Sequence, residues 1–352
     1  MPQPARSIAE RTYRFASGVT LRLRSRREDV LAHFEGEYGS AAVEHSGAAD
    51  IDVYAGNDAI AALGERLLDH AYEGRHKTVR WRVAVADLQQ ETIRVAFEGS
   101  GALVVSFLQT FYIEPLLRVK MAGRDHALVH AATLNKGDRA VLFPAGSAVG
   151  KSTMMLQHAA EGYQVQGDNY VIVTPDGRTL AFPRRLRIYS DLPKINPAVY
   201  RLLPGRERVR LRLAGLIRTL SAGYANMPRR LTVDELIGDS RICPEAHLDA
   251  VYLLFAHTGP ELTGPMPRSA DQAIDRIQTI NEAEGARLVE ALSALPGDGH
   301  EGFMEQVRSR ERDVLARALN GVPAFELLVP RVRNPALLVA KIRRVTGLAS
   351  GA

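Results

Sequence analysis

The residues with the clearest chemical potential form a short run in the stretch LFPAGSAVGKSTMMLQ, where a lysine and two hydroxyl side chains follow a glycine. Gly150, Lys151, Ser152 and Thr153 match the second half of a phosphate-binding loop, in which backbone N–H groups and a helix N-terminus face an anion. The strict pattern has its first glycine at position 145, which is alanine here. An apolar strand pattern precedes the loop and a helix pattern follows it, so we interpret the run as a nucleoside triphosphate site rather than a chance match.

The chemistry of such a loop assigns a role to each part of it. Lys151 would reach the β- and γ-phosphates, and Ser152 would hold Mg²⁺ through its hydroxyl. The first position needs little bulk, so Ala145 is tolerated there. The expected ligands are ATP, or another nucleoside triphosphate, and Mg²⁺. The predicted nucleotide-binding residues are Ala145, Gly146, Ser147, Ala148, Val149, Gly150, Lys151, Ser152 and Thr153.

An acidic residue follows the loop closely along the chain. Asp168, in QVQGDNYVIV, lies 17 residues after Lys151. A helix ended by Gly162 and one short strand would return the chain beside the strand that feeds the loop. Ligands of open α/β sheets bind at the carboxyl ends of strands, so we expect Asp168 to face the γ-phosphate. A carboxylate there accepts a proton from an incoming hydroxyl or helps to hold Mg²⁺; the alternative is a turn-forming Gly-Asp-Asn without chemistry.

Two classes of phosphate-loop protein lose support from features of the sequence. Motor and transport ATPases carry a second acid at the end of a later apolar strand, but AVYLLFAHTG ends in Ala256 and His257. No LSGGQ-like signature of transport ATPases occurs in the sequence. The pattern therefore favours phosphoryl transfer to an acceptor.

The segment around the loop resembles the HPr kinase/phosphorylase family, whose catalytic core is similar to that of phosphoenolpyruvate carboxykinase. In that family a histidine-bearing strand precedes the loop GxSGxGKS, and an Asp-Asp pair follows on the next strand. Here VHAATL carries His130, and GDN carries Asp168 and Asn169 without a gap from Gly150. The resemblance covers residues 125–185 well and the remainder to about 345 loosely, and the layout is most similar to the HprK-related kinases.

The resemblance implies a role for each matched residue. Lys151 would contact phosphate, and Asp168 would be the general base that deprotonates an acceptor hydroxyl. Ser152, Asp168 and Asn169 would hold the metal. His130 would lie near the γ-phosphate as a third catalytic residue, although a histidine satisfied by backbone in the core is an equal alternative. The related enzymes are oligomers, which implies a homo-oligomer here.

The chain departs from the family pattern at two places. Asn169 replaces the second aspartate, which removes one negative charge and should weaken metal binding or the reverse reaction. The family segment EVRGLGI has only a faint echo in RLAGLI, residues 212–217. Both departures count more against phosphorylase activity than against a kinase. Two functions remain open: a kinase that phosphorylates a serine of a protein or peptide, or a small-molecule hydroxyl, and a catalytically decayed nucleotide-binding switch or scaffold.

The predicted fold class is α/β: a P-loop kinase core of the HPr kinase/PEP carboxykinase type, a mixed sheet with flanking helices, preceded by a smaller α+β N-terminal domain. We expect the boundary near residue 120, giving domains 1–120, of unknown role, and 121–352. Alternating patterns predict strands within residues 10–25, 50–56, 77–87 and 91–99, a helix over 59–74, and then strands before and after the loop. Later patterns predict a buried strand within 247–259, helices over 269–295 and 334–348, and a strand over 322–330.

Composition limits the partners. The 352 residues carry a net charge of +5 and a pI near 9.4, too weak a balance to indicate nucleic acid. The single cysteine, Cys243, fits a reducing compartment, and the first residues show no apolar signal segment. The apolar stretch 102–117 is short for a membrane span and contains Gln109 and Glu114. These features predict a soluble, cytoplasmic protein without nucleic-acid or membrane partners.

Two groups of basic residues have alternative readings. Residues 201–230 contain eight arginines and one acid, Glu207, with an alternating RVRLRL at 208–213. They form either a solvated face or a surface for an acidic protein or peptide, a substrate or a phosphate. Arg184, Arg185 and Lys194 either help to neutralise phosphate charge or are ordinary surface cations.

Overall fold

The computed structural model describes residues 8–44, 47–63, 71–147, 149–222, 228–237, 241–294, 299–330 and 335–346. The chain divides into two compact units. The first unit comprises Met1–Leu128 and Asn281–Val314, and the second comprises Val129–Ile280 and Leu315–Ala352.

The strands of the described residues, in chain order, are β1 (Ala9–Arg14), β2 (Thr20–Ser25), β3 (Ala42–Val43), β4 (Ile51–Ala55), β5 (Tyr72–His76), β6 (Val79–Ala86), β7 (Ile93–Glu98), β8 (Ala127–Val129), β9 (Ala131–Lys136), β10 (Arg139–Pro144), β11 (Val171–Val173), β12 (Arg178–Ala181), β13 (Leu186–Ile188), β14 (Arg229–Leu231), β15 (Glu245–His257), β16 (Thr263–Arg268) and β17 (Ala324–Pro330).

The helices of the same residues are α1 (Glu28–Tyr38), α2 (Ala59–Leu63), α3 (Ala102–Phe107), α4 (Glu114–Ala122), α5 (Lys151–Ala160), α6 (Leu192–Ile195), α7 (Pro197–Leu202), α8 (Gly205–Leu220), α9 (Val233–Ile237), α10 (Ala270–Ser293), α11 (Gly299–Ala318) and α12 (Pro335–Thr346). A 3₁₀ turn spans Gly39–Ala41, and a π-helical segment, Leu108–Ile113, joins α3 to α4.

The first unit is built on a mixed sheet with the strand order β3-β1-β2-β4-β7-β6-β5. Strands β2, β4 and β7 are parallel neighbours, and the outer pairs are antiparallel. The alternation predicted over residues 10–25 is confirmed, but it folds as two strands that pair with Ala9 opposite Ser25. Leu21, Leu23 and Ile51 are among the fully buried residues of this sheet.

The helix predicted over residues 59–74 is wrong at its C-terminal end. Its first residues form α2, residues 64–70 lie outside the described part, and β5 follows from Tyr72. In β5, Gly74 lies opposite Trp81 of β6, and a Cβ on Gly74 would lie 2.1 Å from the indole ring. The close approach of the tryptophan requires extended backbone with no side chain there, a tertiary demand that overrides the helical pattern.

Residues 102–122 form one helical run that passes through the π-helical segment. It is longer than the 102–117 stretch judged too short to span a bilayer, and by length and apolar composition it could cross one. However, 72% of its most apolar window is buried within the fold. Gln109 and Glu114 are also buried and are joined by a 3.0 Å hydrogen bond from the Gln109 amide, so the run has the character of a core helix.

Residues 281–314 group with the first unit, whereas the sequence analysis assigned them to the second domain. Side chains hold them there. Arg118 of α4 donates from Nε to Glu311 at 2.6 Å, and both residues are buried. The Asn281 amide donates to the Leu128 carbonyl at 3.0 Å. Helices α10 and α11 therefore each contribute residues to both units.

The second unit contains the sheet order β16-β17-β15-β12-β11-β8, with β10 paired to β15 and β9 paired to β10. The long strand β15 is its centre: β10 and β17 run parallel to it, and β12 pairs antiparallel with its first residues. Together with the first sheet this establishes a mixed α/β fold with flanking helices, as the sequence predicts.

The main core of the second unit lies between this sheet and the helices α5, α7, α8 and α12. Phe143, Met155, Leu254 and Leu211 belong to one buried cluster. Residues 208–213, whose alternation is typical of a strand, lie within the helix α8. The alternation was misleading because Leu211 alone of the three apolar residues in that stretch faces the core.

Candidate functional site

The predicted phosphate-binding loop lies at the carboxyl end of β10. Ala145 forms a parallel bridge with Leu254 of β15, so the loop leaves the sheet at the carboxyl end of β10, beside the parallel strand β15. Gly150 has φ +108°, a conformation that favours glycine, and α5 begins at the next residue. Ala148 lies outside the described residues. Strand, loop and helix N-terminus thus follow each other as the sequence predicts, and the first N–H groups of a helix have no acceptor within the helix itself.

Gly146 occupies an ordinary position within the loop. A Cβ on it would meet nothing within 4 Å, so packing does not require a glycine at position 146.

Lys151 is folded into the loop. Its side chain is buried, and Nζ donates to the Ala145 carbonyl at 2.7 Å and to the Gly146 carbonyl at 3.1 Å. These contacts hold the ammonium group at the N-terminus of α5, where its positive charge adds to the positive end of the helix dipole. A phosphate at the loop would replace carbonyl contacts with charge-assisted ones.

The chain returns to the loop after α5, as the sequence predicts for Asp168. Gln164 bridges Asn135 of β9, and Val165 pairs with Ile242, so this segment lies along the sheet. Gly167 then makes a close turn, because a Cβ there would lie 2.3 Å from the Tyr170 carbonyl oxygen. Asp168 follows that turn, three residues before β11 begins at Val171.

The carboxylate of Asp168 is buried against the first turn of α5. Only 5% of the residue is exposed, and its Oδ1 atom has no hydrogen-bond partner among the described residues. Burial raises the pKa of Asp168, whereas the Ser152 hydroxyl hydrogen bond and the nearby Lys151 charge act in the opposite direction. A buried carboxylate of raised basicity with one unsatisfied oxygen is suited to accept a proton or a cation.

His130 lies in the one-residue gap between β8 and β9. The Ala145 N–H donates to its carbonyl at 3.4 Å, which ties the histidine backbone to the start of the loop. Burial lowers the pKa of His130 well below its usual range, and the charges of Lys151 and Arg184 lower it further. A hydrogen bond with Asn169 raises the pKa, but the lowering by burial and charge is larger. The imidazole is therefore neutral at physiological pH, and it lies within hydrogen-bonding reach of Asn169.

Aromatic packing fixes His130. Its ring meets the Tyr170 ring edge-on at 5.4 Å, and Tyr170 in turn packs against Phe182 at 5.7 Å. The Arg184 guanidinium lies over the Tyr170 ring at 5.5 Å. Tyr170 is buried, so this cluster positions the polar residues rather than offering a surface for a ligand.

Two arginines contribute positive charge at Asp168. Arg184, predicted as a candidate, and Arg187, which sequence reasoning missed, both lower the pKa of Asp168. Arg187 lies in β13 between the buried residues Leu186 and Ile188, and this alternation is the signal that could have indicated it. The structure does not bring Lys194 into this group: it is an exposed residue of α6.

The side chains at the site fit a magnesium ion. Ser152, Asp168 and Asn169 offer hydroxyl, carboxylate and amide oxygens, the hard donors that Mg²⁺ prefers, and the unsatisfied Oδ1 of Asp168 is available to it. The described residues contain no group of three or more His, Cys, Asp and Glu that could hold a metal on their own. A Mg²⁺ ion at this site would be held by one carboxylate together with substrate phosphates.

Comparisons with models of known protein families and with curated proteins gave no match for this chain. The assignment of a function therefore depends on the site residues and on the motif resemblance.

Proposed function

We propose that this protein is a kinase that transfers the γ-phosphoryl group of ATP, or of another nucleoside triphosphate, to a hydroxyl group. The acceptor is a serine of a protein or peptide, or a small molecule. The observation that carries the proposal is the buried carboxylate of Asp168, which lies beside Ser152 and Lys151 at the start of the loop helix.

The charges at the site support phosphate as the ligand. Lys151 and the half-buried Arg184 and Arg187 supply three positive charges near one buried carboxylate. Transferring phosphoryl groups carry negative charge that such cations stabilise, and the N–H groups at the start of α5 add to this. A bound Mg²⁺ would neutralise the charge that develops on the phosphate oxygens.

The position of Asp168 supports transfer rather than binding alone. In the proposed step the acceptor hydroxyl gives its proton to the Asp168 carboxylate as its oxygen forms a bond to the γ-phosphorus. The bond from that phosphorus to the bridging oxygen breaks, and the nucleoside diphosphate leaves. Raised basicity of the carboxylate favours the proton transfer, and general bases of this kind contribute about 10²–10⁴-fold.

The site residues and the strand–loop–helix order also support a P-loop kinase core of the HPr kinase/PEP carboxykinase type in the second unit. Asn169, where the family has a second aspartate, favours forward transfer over the reverse phosphorylase reaction. The same residue supports the alternative function, a nucleotide-binding switch or scaffold without catalysis.

The test is label transfer from γ-labelled ATP with Mg²⁺ to a lysate of the source organism, alongside direct measurement of ATP binding. We expect Asp168→Asn to lower transfer about 10²–10⁴-fold while ATP affinity stays within a few-fold. Asp176→Asn, at an exposed turn, is the matched control and should leave both unchanged. Lys151→Ala should weaken binding.

Two outcomes would contradict the proposal. A wild-type chain that binds ATP and transfers no label would favour the switch. Transfer by the Asp168→Asn variant at the wild-type rate would remove Asp168 as the base.

A further inference from the structure

The helix α8 exposes a continuous apolar stripe. Val209, Leu213, Leu216, Ile217 and Leu220 are 65%, 56%, 55%, 42% and 79% exposed. They are five of the eleven exposed large apolar side chains in the described part of the chain. At 100° per residue they lie within an arc of about 100° on the helix surface.

The stripe points away from the protein. The two buried residues of α8, Glu207 and Leu211, project on the opposite side of the helix, and Leu211 belongs to the main core of the second unit. An amphipathic helix of a globular domain normally turns its apolar arc toward the core. Here a second apolar arc faces outward, which indicates a surface that is covered in a complex.

The spacing of the stripe is that of a coiled-coil seam. Val209, Leu213, Leu216 and Leu220 follow each other at intervals of four, three and four residues, the spacing of alternating d and a positions. Arg210 and Arg212 then fall at the flanking e and g positions, which set the choice of helical partner through charge.

Charge selects what can lie on this seam. The helix carries five arginines and one acid, Glu207. That acid is buried and already paired, with Arg210 at 2.6 Å and Arg229 at 3.0 Å. A second copy of α8 would offer no carboxylate to these arginines, because Glu207 is the one acid of the helix and is buried; a helix with carboxylates beside its apolar residues would complement them.

We propose that α8 is the docking surface for an acidic amphipathic helix of a partner protein, with leucine-type side chains on the seam and carboxylates opposite Arg210 and Arg212. A lipid surface fits less well, because α8 contains no Trp, Tyr or Phe to anchor it at an interface. The proposal is independent of phosphoryl transfer.

The probe for the test is a labelled peptide of three heptads, with Leu at a and d and Glu at e and g. A matched peptide carries Lys at e and g. Fluorescence anisotropy with the full-length chain should show that the Glu peptide binds at least about tenfold tighter than the Lys peptide, with the difference shrinking at high salt.

Variants locate the site of binding. Leu213→Asp with Leu216→Asp should weaken the Glu peptide at least about tenfold, whereas Leu103→Asp, at an exposed leucine of α3, should leave it unchanged. Arg212→Glu should reduce the ratio of the affinities for the Glu peptide and the Lys peptide. Far-UV circular dichroism checks that each variant folds; the changed leucines are more than half exposed.

Three results would overturn the proposal. The first is failure of the Glu peptide to bind, or equal binding of both peptides. The second is a lower molar mass of the Leu213→Asp, Leu216→Asp variant in light scattering, which would make the stripe an interface between copies of this chain. The third is sedimentation of the chain with phosphatidylserine-containing vesicles that the same variant abolishes, which would make it a membrane surface.

Discussion

Acidification should loosen α5, the helix that begins at Lys151, because His158 is buried there in its neutral form. The residue is fully buried, and its Nδ1 lies 2.9 Å from the Met154 carbonyl. Burial lowers the pKa of His158 to about 4 from an ordinary value of 6.5, against the contribution of the Met154 contact. The unfolded chain therefore binds a proton between these two values that the folded chain does not, and stability falls as the pH drops through this window.

The size of the effect follows from the shift. One pKa unit corresponds to about 1.4 kcal/mol, so the full shift is worth about 3 kcal/mol, of which about 2 kcal/mol is lost at about pH 5. At about pH 7 the burial of neutral His158 lowers the free energy of unfolding by almost nothing. An opening free energy lower by 2 kcal/mol corresponds to about 30-fold faster exchange of the α5 amides after correction for intrinsic rates.

Hydrogen–deuterium exchange of the peptide that covers α5 measures this directly. Between about pH 7 and about pH 5, wild-type protection should fall about 30-fold. In His158→Gln, which cannot be protonated, the fall should be much smaller but still present, because His130 is buried neutral as well. The reasoning would be refuted if wild type and His158→Gln lost the same protection over this interval.

Two further predictions use matched neighbours at the site. Gly167→Ala places a Cβ against the Tyr170 carbonyl oxygen at 2.3 Å, so it should destabilise the fold by about 1–3 kcal/mol and lower transfer, whereas Gly146→Ala meets open space and should behave as wild type in urea unfolding. Arg184→Gln should weaken ATP binding about tenfold and move the acid limb of the transfer pH profile upward, because the arginine lowers the pKa of the proposed base. Arg185→Gln is the neighbouring control and should change neither ATP binding nor the pH profile; equal effects of both substitutions would contradict the role given to Arg184.

The arrangement of the site was predictable because it is local along the chain. Asp168 lies seventeen residues after Lys151. Ten residues from Lys151 onward form a helix, and the turn that follows it restricts where the returning segment can lie. The chain therefore brings Asp168 to Ser152 almost by connectivity. Arg187 comes from a later segment, and only the structure shows its place beside the carboxylate.

Long-range packing explains why β5 occurs where the sequence predicted the end of a helix, and why residues 281–314 group with the first unit. Gly74 belongs to a strand because Trp81, on a neighbouring strand, occupies the space of its missing side chain. The segment from Asn281 onward joins the first unit through Glu311 and its buried partner Arg118. None of these partners is adjacent in sequence, so local periodicity contains no information about them.

In helix α8 the sequence pattern does not predict which apolar residues are buried. Over residues 208–213 arginine and apolar side chains alternate, which resembles a strand, but the same apolar residues continue at the four-three-four spacing to Leu220 and so already describe a helical seam. Periodicity shows which face of a helix is apolar, but it does not show whether that face packs against the core or against another molecule. Leu211, opposite the seam, is the residue that is buried in the core of the second unit. Leu211 is the one large apolar side chain of α8 in the core, whereas five remain exposed, so this helix places more apolar surface outside the fold than inside it. The proposed partner helix, with carboxylates that match the arginines, accounts for that surface.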